Sequence, residues 1–465
     1  MTRFNFSIFF ILGIIFSFSI TGCKKSLNFS KENLIFSADT VVFDTVFTTI
    51  GSTTQRLKIY NPSNSTLKVD EIELIGGTNS PFRINFDGVI GTYFSDTEME
   101  KGDSLFIFVE VTLSVNNGGL PLVVEDRIRF RTNGKDQYVQ LAVWGQDAYF
   151  HYKDLNTGTW PNDKPHVIYG YAAVDSAQTL NIQQDTKIYL HKDAILYNYK
   201  GTLNINGTHG HEVILQGDRL ESYYQDQAGQ FYGIYFQEAR PSKISYTIIK
   251  NGTAGIHLFS EDSSNSGYTL EVDNTIIHNN SRYGIFIYSG AKVKAENCLI
   301  YKNQSYALLV LEGGDFNFNY CNLLGYAATD QVPAVGISNF FKNSLGVTNY
   351  KSINEGTITN SVITGNQATE LVINTLNPGG VYNLNFTLNN NLITSEVIPT
   401  NSFFQLNKWN LNPGFINIEE SDFHINSSSP MNGHANNSFS SLIVLKDLDL
   451  VTRTGPEDLG VYESN

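Results

Sequence analysis

Residues 274–288 read NTIIHNNSRYGIFIY, residues 246–260 read YTIIKNGTAGIHLFS, and residues 297–311 read NCLIYKNQSYALLVL. In each phrase Asn follows an apolar pair (Asn251, Asn279, Asn303), and a small residue (Gly255, Gly284, Ala307) precedes the next apolar run. Taking one residue of each pair as marker, Ile249, Ile277, Ile300 and Leu324 stand 28, 23 and 24 residues apart. The phrase returns at TNSVITGN (359–366) and, fainter, at NNNLITS (389–395). A period of this length filled with short β-like runs is the mark of a solenoid. Each period has room for three short strands. One coil cannot bury its inner face alone, whereas coils stacked ~4.8 Å apart pair every backbone group above and below. The spacing therefore predicts vertical neighbours one period apart, an Asn ladder through Asn251, Asn279 and Asn303, and a bend at the small residues. Residues 177–219 alternate apolar runs and turn residues in the same way.

The composition agrees with an all-β chain. Only 16% of the 465 residues are charged, against 31 Phe, 25 Tyr and 38 Gly. Aromatic residues suit strands, and Gly suits turns. The net charge of -14 leaves no basic stripe to neutralise phosphates, which argues against a nucleic-acid partner.

The first 22 residues read as a signal peptide: Arg3, then the apolar FSIFFILGIIFSFSI (6–20), then small residues. SITGCKKS (19–26) resembles the bacterial lipoprotein box, which implies that Cys23 becomes the acylated N-terminus. That implies a partner, the membrane, reached through a lipid anchor in the outer membrane. In lipoproteins that Bacteroidota-like bacteria export to the surface, acidic residues usually follow the Cys. Here Lys24 and Lys25 follow and the first acid is Glu32, so the periplasmic and surface faces both stay open. Residues 23–37 read as a linker.

Residues 38–148 break into short alternating strands, expected at 41–49, 55–60, 67–75, 82–86, 105–113, 127–131 and 138–144, with turn signals between them. About seven such strands suggest a β-sandwich. LKIYNPSNSTLKVDEIEL, KGDSLFIFVEV and IRFRTNGKDQYVQLAVWG resemble the strands and turns of immunoglobulin-like ASH and Hydin-type domains. That resemblance implies a spacer or binding module.

Residues 149–164 read as a second linker and 165–465 as the solenoid. The three phrases, GTLNINGT (201–208), GDRLESYYQDQAGQFYGIYF (217–236) and an ending with Asp458, Gly460, Tyr462 and Glu463 resemble right-handed parallel β-helix lipoproteins of pectin-lyase-like fold. The resemblance implies a C-terminal closing coil. The stretches 223–236 and 412–434 are candidates to cover the open ends of the stack. The expected fold class is thus all-β: an N-terminal immunoglobulin-like β-sandwich followed by a right-handed parallel β-helix.

Candidate chemistry follows from stacking. Glu271 and Lys294 are 23 residues apart, as are Asp273 and Glu296. In register, two carboxylates and a lysine share one face. Such a set can hold Ca²⁺ at Asp273 and Glu296 or perform acid–base work, or can simply be a charge ladder. Polysaccharide lyases of the pectin-lyase-like fold resemble that picture: their carboxylates bind Ca²⁺ and an Arg or Lys removes a proton. His278, in one column with Lys250 and Tyr301, is a candidate base, and His257 lies near a turn. His209 and His211 lack a third metal ligand. No other cofactor is implied. Cys298 and Cys321, again 23 apart, fit either a disulfide or a column of small residues with Thr247, Thr275 and Ser361. Tyr223, Tyr224, Tyr232 and Tyr235, with Phe231 and Phe236, are candidates to stack on sugar rings or to cover the coil. The expected function is a non-catalytic envelope lipoprotein binding glycan or an envelope protein. The alternatives are a polysaccharide lyase or glycoside hydrolase, and an adhesive or structural surface protein.

Overall fold

The computed structural model describes residues 29–115, 122–261, 267–326, 328–329, 331–439, 441 and 443–464. The signal segment 1–22 and Cys23 lie outside the described residues. The chain divides into two compact units at Gln146 and Asp147. Among the described residues the regular structure is strand, with a few 3-10 turns and no α-helix.

The first unit is a two-sheet sandwich. One sheet orders Ile35–Phe36, Gln55–Tyr60, Ser104–Val111, Phe82–Phe86 and Val89–Gly91 side by side. The other orders Thr40–Phe47, Lys135–Gln146, Leu122–Thr132, Leu67–Leu74 and Tyr93–Met99, the first pair parallel. Alternation places Ile107, Val109, Val111, Ile128 and Phe130 in the core. Outward, Arg129 lies between Glu71 (2.7 Å) and Glu73 (2.5 Å). The sequence reading missed Tyr93–Met99, which pairs with Leu67–Leu74, and ahead of it the short strand Val89–Gly91 of the other sheet. Before it, Asp87 (φ 48°) and Gly88 (φ 87°) join Phe82–Phe86 to Val89–Gly91. Asp-Gly with both φ positive is the turn that suits two twisted antiparallel strands, so the signal was present. The reading of 23–37 as linker is corrected at its end: Leu34 is buried, and Ile35–Phe36 pairs with Ile59 and Tyr60.

The second unit is a parallel β-helix. Each complete coil runs through three strands and three stacks. The repeat phrase supplies, for example, Ile276–His278, Tyr283–Tyr288 and Lys292–Glu296. Strands of the first stack pair upward in register: Ile249, Ile277, Ile300 and Leu323 are successive partners, all fully buried. The marker in the fourth coil is thus Leu323, one residue before Leu324, and the step stays 23.

The corners explain the recurring Asn. Each coil bends at single residues of positive φ: Asn251, Asn279 and Lys302 after the first stack, Glu238, Ser260, Ser289 and Glu312 after the second, and Asn274, Asn297, Asn360 and Asn390 after the third. Asn tolerates this left-handed conformation better than most residues. Its amide then bonds to the next coil. Asn279 Nδ2 donates to Asn251 Oδ1 (2.8 Å), Asn280 Nδ2 to Asn303 Oδ1 (2.9 Å) and Asn297 Nδ2 to Asn274 Oδ1 (2.7 Å). The single ladder expected through Asn251, Asn279 and Asn303 is therefore two, because Asn303 sits over Asn280. The small-residue column serves space rather than bending. A Cβ on Gly255 or Gly284 would collide with a methyl of Ile277 or Ile300.

Residues 149–164 are not a linker. Tyr149–Leu155 and Gly158–Trp160 pair in parallel with His166–Val174 and Thr179–Gln183 and open the helix. Trp160 is buried in the helix core, with His151 and His166 each 4.3 Å from its ring. At the far end Phe403, Phe404 and Trp409 pack against the last coils. The stretch 223–236 lies within the stack, so it covers no end.

The ending is no closing coil either. The described residues of 415–464 form a hairpin, Phe415–Asn417 with Asp422–Ile425, and irregular turns along the outside of the first stack. Phe423, Met431, Leu459 and Val461 pack on Leu299, Leu324, Val362 and Leu392. The buried Arg453 guanidinium lies over the Tyr320 ring, bonds Asn297 Oδ1 (3.2 Å) and Gly460 O (2.9 Å), and pairs with Glu463. Asp458 accepts from Gly433 N, and Tyr462 stacks on His424. The ending motif is a clasp: its strands cannot add a coil because its apolar residues already face the outer wall.

Ile277→Ala should cost about 2–5 kcal/mol through a cavity in the stack. Arg453→Ala should cost about 3–5 kcal/mol by stranding Glu463 and Asn297, and should open 415–464 to limited proteolysis before the coils melt. An unchanged denaturation midpoint and cleavage pattern for Arg453→Ala would show that the clasp does not depend on this residue.

Candidate functional site

Strand alternation sends every second residue of the middle stack outward. GIYFQ (233–237), GIHLF (255–259), GIFIY (284–288) and ALLVL (307–311) align on their first residue. The third position of each, Tyr235, His257, Phe286 and Leu309, forms one outward column, and Tyr197 of ILYNY (195–199) precedes it. Ring centroids along it are 5.5, 4.7 and 4.5 Å apart from Tyr197 to Phe286. A second column, Tyr199, Gln237, Phe259, Tyr288 and Leu311, runs beside it. The result is a half-buried aromatic strip along the helix axis. Below Tyr197 it opens into a groove of about 560 Å³ lined by Leu155, Tyr171, Asp175, Ile195, Tyr199 and Tyr235 among others.

Polar groups in the strip are held still. The Tyr232 hydroxyl lies 2.5 Å from His257 Nδ1, and Tyr197 donates to Gln237 Oε1 (2.6 Å). His257 Nε2 is buried without a partner. Burial lowers the His257 pKa to about 4 and raises the Tyr235 pKa to about 12, so both rings are uncharged at neutral pH.

Of the tyrosines singled out from sequence, Tyr232 and Tyr235 lie here, their rings edge-on at 6.2 Å. Tyr223 and Tyr224 instead sit on a 3-10 turn, packed on each other, with Arg219 over Tyr224 at 3.9 Å. Phe231 and Phe236 are core residues. Sequence reasoning missed Tyr197, Phe259, Phe286 and Tyr288. The signal was the aromatic residue two or four places after the column Gly, as for Phe286, Phe259 and Tyr288; Tyr197 has Ile195 in the Gly position.

The acid cluster lies on the third stack. Glu271 pairs with Lys294, and Asp273 with Glu296, as the spacing required. Each buried carboxylate is nevertheless taken up by a lysine: Lys243 to Asp273 at 3.1 Å and Lys294 to Glu296 at 2.7 Å. Ser245 Oγ and Asn274 Nδ2 also donate to Asp273. No group of three or more acidic, His or Cys side chains with metal-binding geometry is present among the described residues. His278 stacks on Tyr301 with rings 3° from parallel, and loss of water, then Lys250 and Lys302, lower its pKa to about 3. It is a poor base at neutral pH. His211 pairs with Asp185 (3.0 Å), and His209 packs edge-on against Tyr246. Cys298 and Cys321 are free buried thiols, bonded to the carbonyls of Glu296 (3.3 Å) and Asn319 (3.4 Å). They stand in a column with Thr275 and Ser361, so the disulfide reading gives way to the stacked one.

The architecture is that of a right-handed parallel β-helix, and a sequence profile described as "Right handed beta helix region" matches residues 174–323. Comparison with curated proteins finds no match. Among solved structures, a family 123 glycoside hydrolase from Clostridium perfringens aligns at 7% identity and TM-score 0.18, over 26% of this chain and 30% of its own. The chain thus spans less than a third of that hydrolase. The ASH/PapD-like domain of human CEP192 aligns at 11% identity and TM-score 0.16, over 24% of this chain and 84% of its own. The A-module of the Azotobacter vinelandii mannuronan C-5 epimerase AlgE6 aligns at 10% identity and TM-score 0.28, over 57% of this chain and 91% of its own. At these scores none carries an argument about activity.

The histidines set a pH dependence. Burial lowers the pKa of His257 and of His166 to about 4, and that of His278 to about 3. Their folded pKa values lie below the unfolded ~6.5, so the unfolded chain binds more protons in acid. The stability they contribute is present near pH 7 and is lost as pH falls through about 6 towards 4. His424 opposes this: against the cost of burial, Asp449 and Asp422 raise its pKa. The thermal midpoint of the β-helix should drop between pH 7 and pH 4.5, and His278→Gln with His257→Phe should flatten that slope.

Proposed function

We propose that the protein is an envelope lipoprotein of a Bacteroidota-like bacterium. Acyl chains on Cys23 hold it to the outer membrane, residues 38–148 act as an ASH-like spacer, and the β-helix is a non-catalytic flank that binds glycan. The observation that carries the binding role is the aromatic strip from Tyr197 to Phe286, ordered on a rigid sheet with its side chains already partly desolvated. Sugar rings bind through C–H faces laid on such side chains, and fixed rings lose little entropy on binding. The reading without catalysis is supported by the state of the candidate chemistry. Asp273 and Glu296 are each occupied by a lysine, and His278 is held neutral.

Two experiments test this. Cys23→Ser should abolish incorporation of labelled palmitate and release the protein from membranes. Retention of both label and membrane binding would remove the anchor. Affinity electrophoresis against a panel of polysaccharides should show retardation that falls about tenfold in affinity for Phe286→Ala, roughly the loss of one stacked ring. Release of unsaturated, ultraviolet-absorbing product from uronate polymers would overturn the non-catalytic reading.

A further inference from the structure

The charge around the aromatic strip is informative about its ligand. The lining of the groove below Tyr197 contains one ionisable acid, Asp175, and no Lys, Arg or His. Two cations beside the strip are already engaged: Lys200 pairs with Glu238 at 3.0 Å, and Lys292 with Glu261 at 2.7 Å. The remaining basic ring in the strip, His257, is neutral. A uronate or phosphorylated polymer needs cations or aligned donors for each anionic group, and the strip from Tyr197 to Phe286 offers the uncovered, uncharged surface of stacked rings instead. The chain's net charge of -14 adds long-range repulsion of anions.

The geometry adds a direction. The column Tyr197, Tyr235, His257 and Phe286 advances one ring per coil, by 4.5–5.5 Å between centroids, a step comparable with one sugar ring. Leu309 continues it to a second groove of about 330 Å³ lined by Leu311, Pro333, Gly336, Phe341 and one exposed lysine, Lys342, among others. Successive rings of a chain laid along the axis would therefore meet successive coils, whereas a chain laid across the axis would leave the strip after two columns.

Resting on the reading of this face as a glycan-binding surface, we infer that its ligand is an uncharged glycan chain. It lies along the helix axis, stacked on Tyr197, Tyr235 and Phe286, with one end in the groove beside Asp175. Its hydroxyls meet the Asp175 carboxylate, and its apolar ring faces meet the aromatic column.

The test uses the full chain in detergent, titrated with neutral probes (dextran, laminarin, hydroxyethyl cellulose, mannan) and anionic ones (alginate, polygalacturonate). The expected result is binding to at least one neutral polymer that changes little as salt rises from about 0.1 M to about 1 M. Tyr197→Ala and Tyr235→Ala should each weaken it about tenfold, Tyr197→Phe should keep it, and Tyr223→Ala, in the separate loop, should leave it unchanged. Thermal midpoints of all four variants serve as folding controls. Preference for alginate or polygalacturonate, with binding that collapses in salt, would overturn the uncharged ligand while leaving a glycan-binding protein. Neutral-polymer binding untouched by Tyr197→Ala and Tyr235→Ala would overturn this site. No binding to any probe would overturn the glycan reading itself.

Discussion

In-register stacking of one coil on the next is the constraint on which the β-helix depends. Parallel pairing forces residues one period apart into vertical columns, and each column must then be satisfied by like partners. Apolar columns such as Ile249, Ile277 and Ile300 make the core. Asn columns close the corners, because Asn both accepts the left-handed conformation and donates its amide to its neighbour. The Gly255 and Gly284 column leaves room for the methyl groups of Ile277 and Ile300.

The same constraint writes the outer surface. A column that is free of packing demands can carry any side chain, and on the middle stack it carries rings. Stacking at coil spacing keeps each ring half covered by the next, so the strip is ordered before a ligand arrives. On the third stack the equivalent freedom is spent on charge. Lys243, Asp273, Lys294 and Glu296 neutralise one another at short range, which leaves little electrostatic asymmetry for chemistry.

The first stack is the exception, since its outward Leu299, Leu324, Val362 and Leu392 are apolar and would face water. The C-terminal clasp covers them. Its polar anchor, Arg453, reaches two corner residues, Asn297 and Tyr320, so the tail is keyed to the same left-handed corners that shape the coils. A buried guanidinium is costly unless its charge is paired and its face is covered; here Glu463, Asn297 and Gly460 take the two terminal nitrogens and the Tyr320 ring covers the face, while Nε has no partner.

Periodicity was legible in the sequence because stacking repeats a local choice every 23 residues. It therefore determined the solenoid, the partners Ile277 with Ile300 and Asp273 with Glu296, and most strands of the sandwich, whose alternation is equally local. It also held the aromatic column, visible once GIYFQ, GIHLF and GIFIY are aligned on Gly. Only the tertiary structure decided what each outward column faces. One-residue differences in corner position moved Asn303 onto Asn280, side-chain direction turned Asp273 to Lys243, and Trp160 drew the supposed linker into the first coil. The docking of the C-terminal clasp on the coils, with Arg453 reaching Asn297 across 156 positions, obeys no period, because it depends on the shape and polarity of a wall that exists only after the coils have stacked.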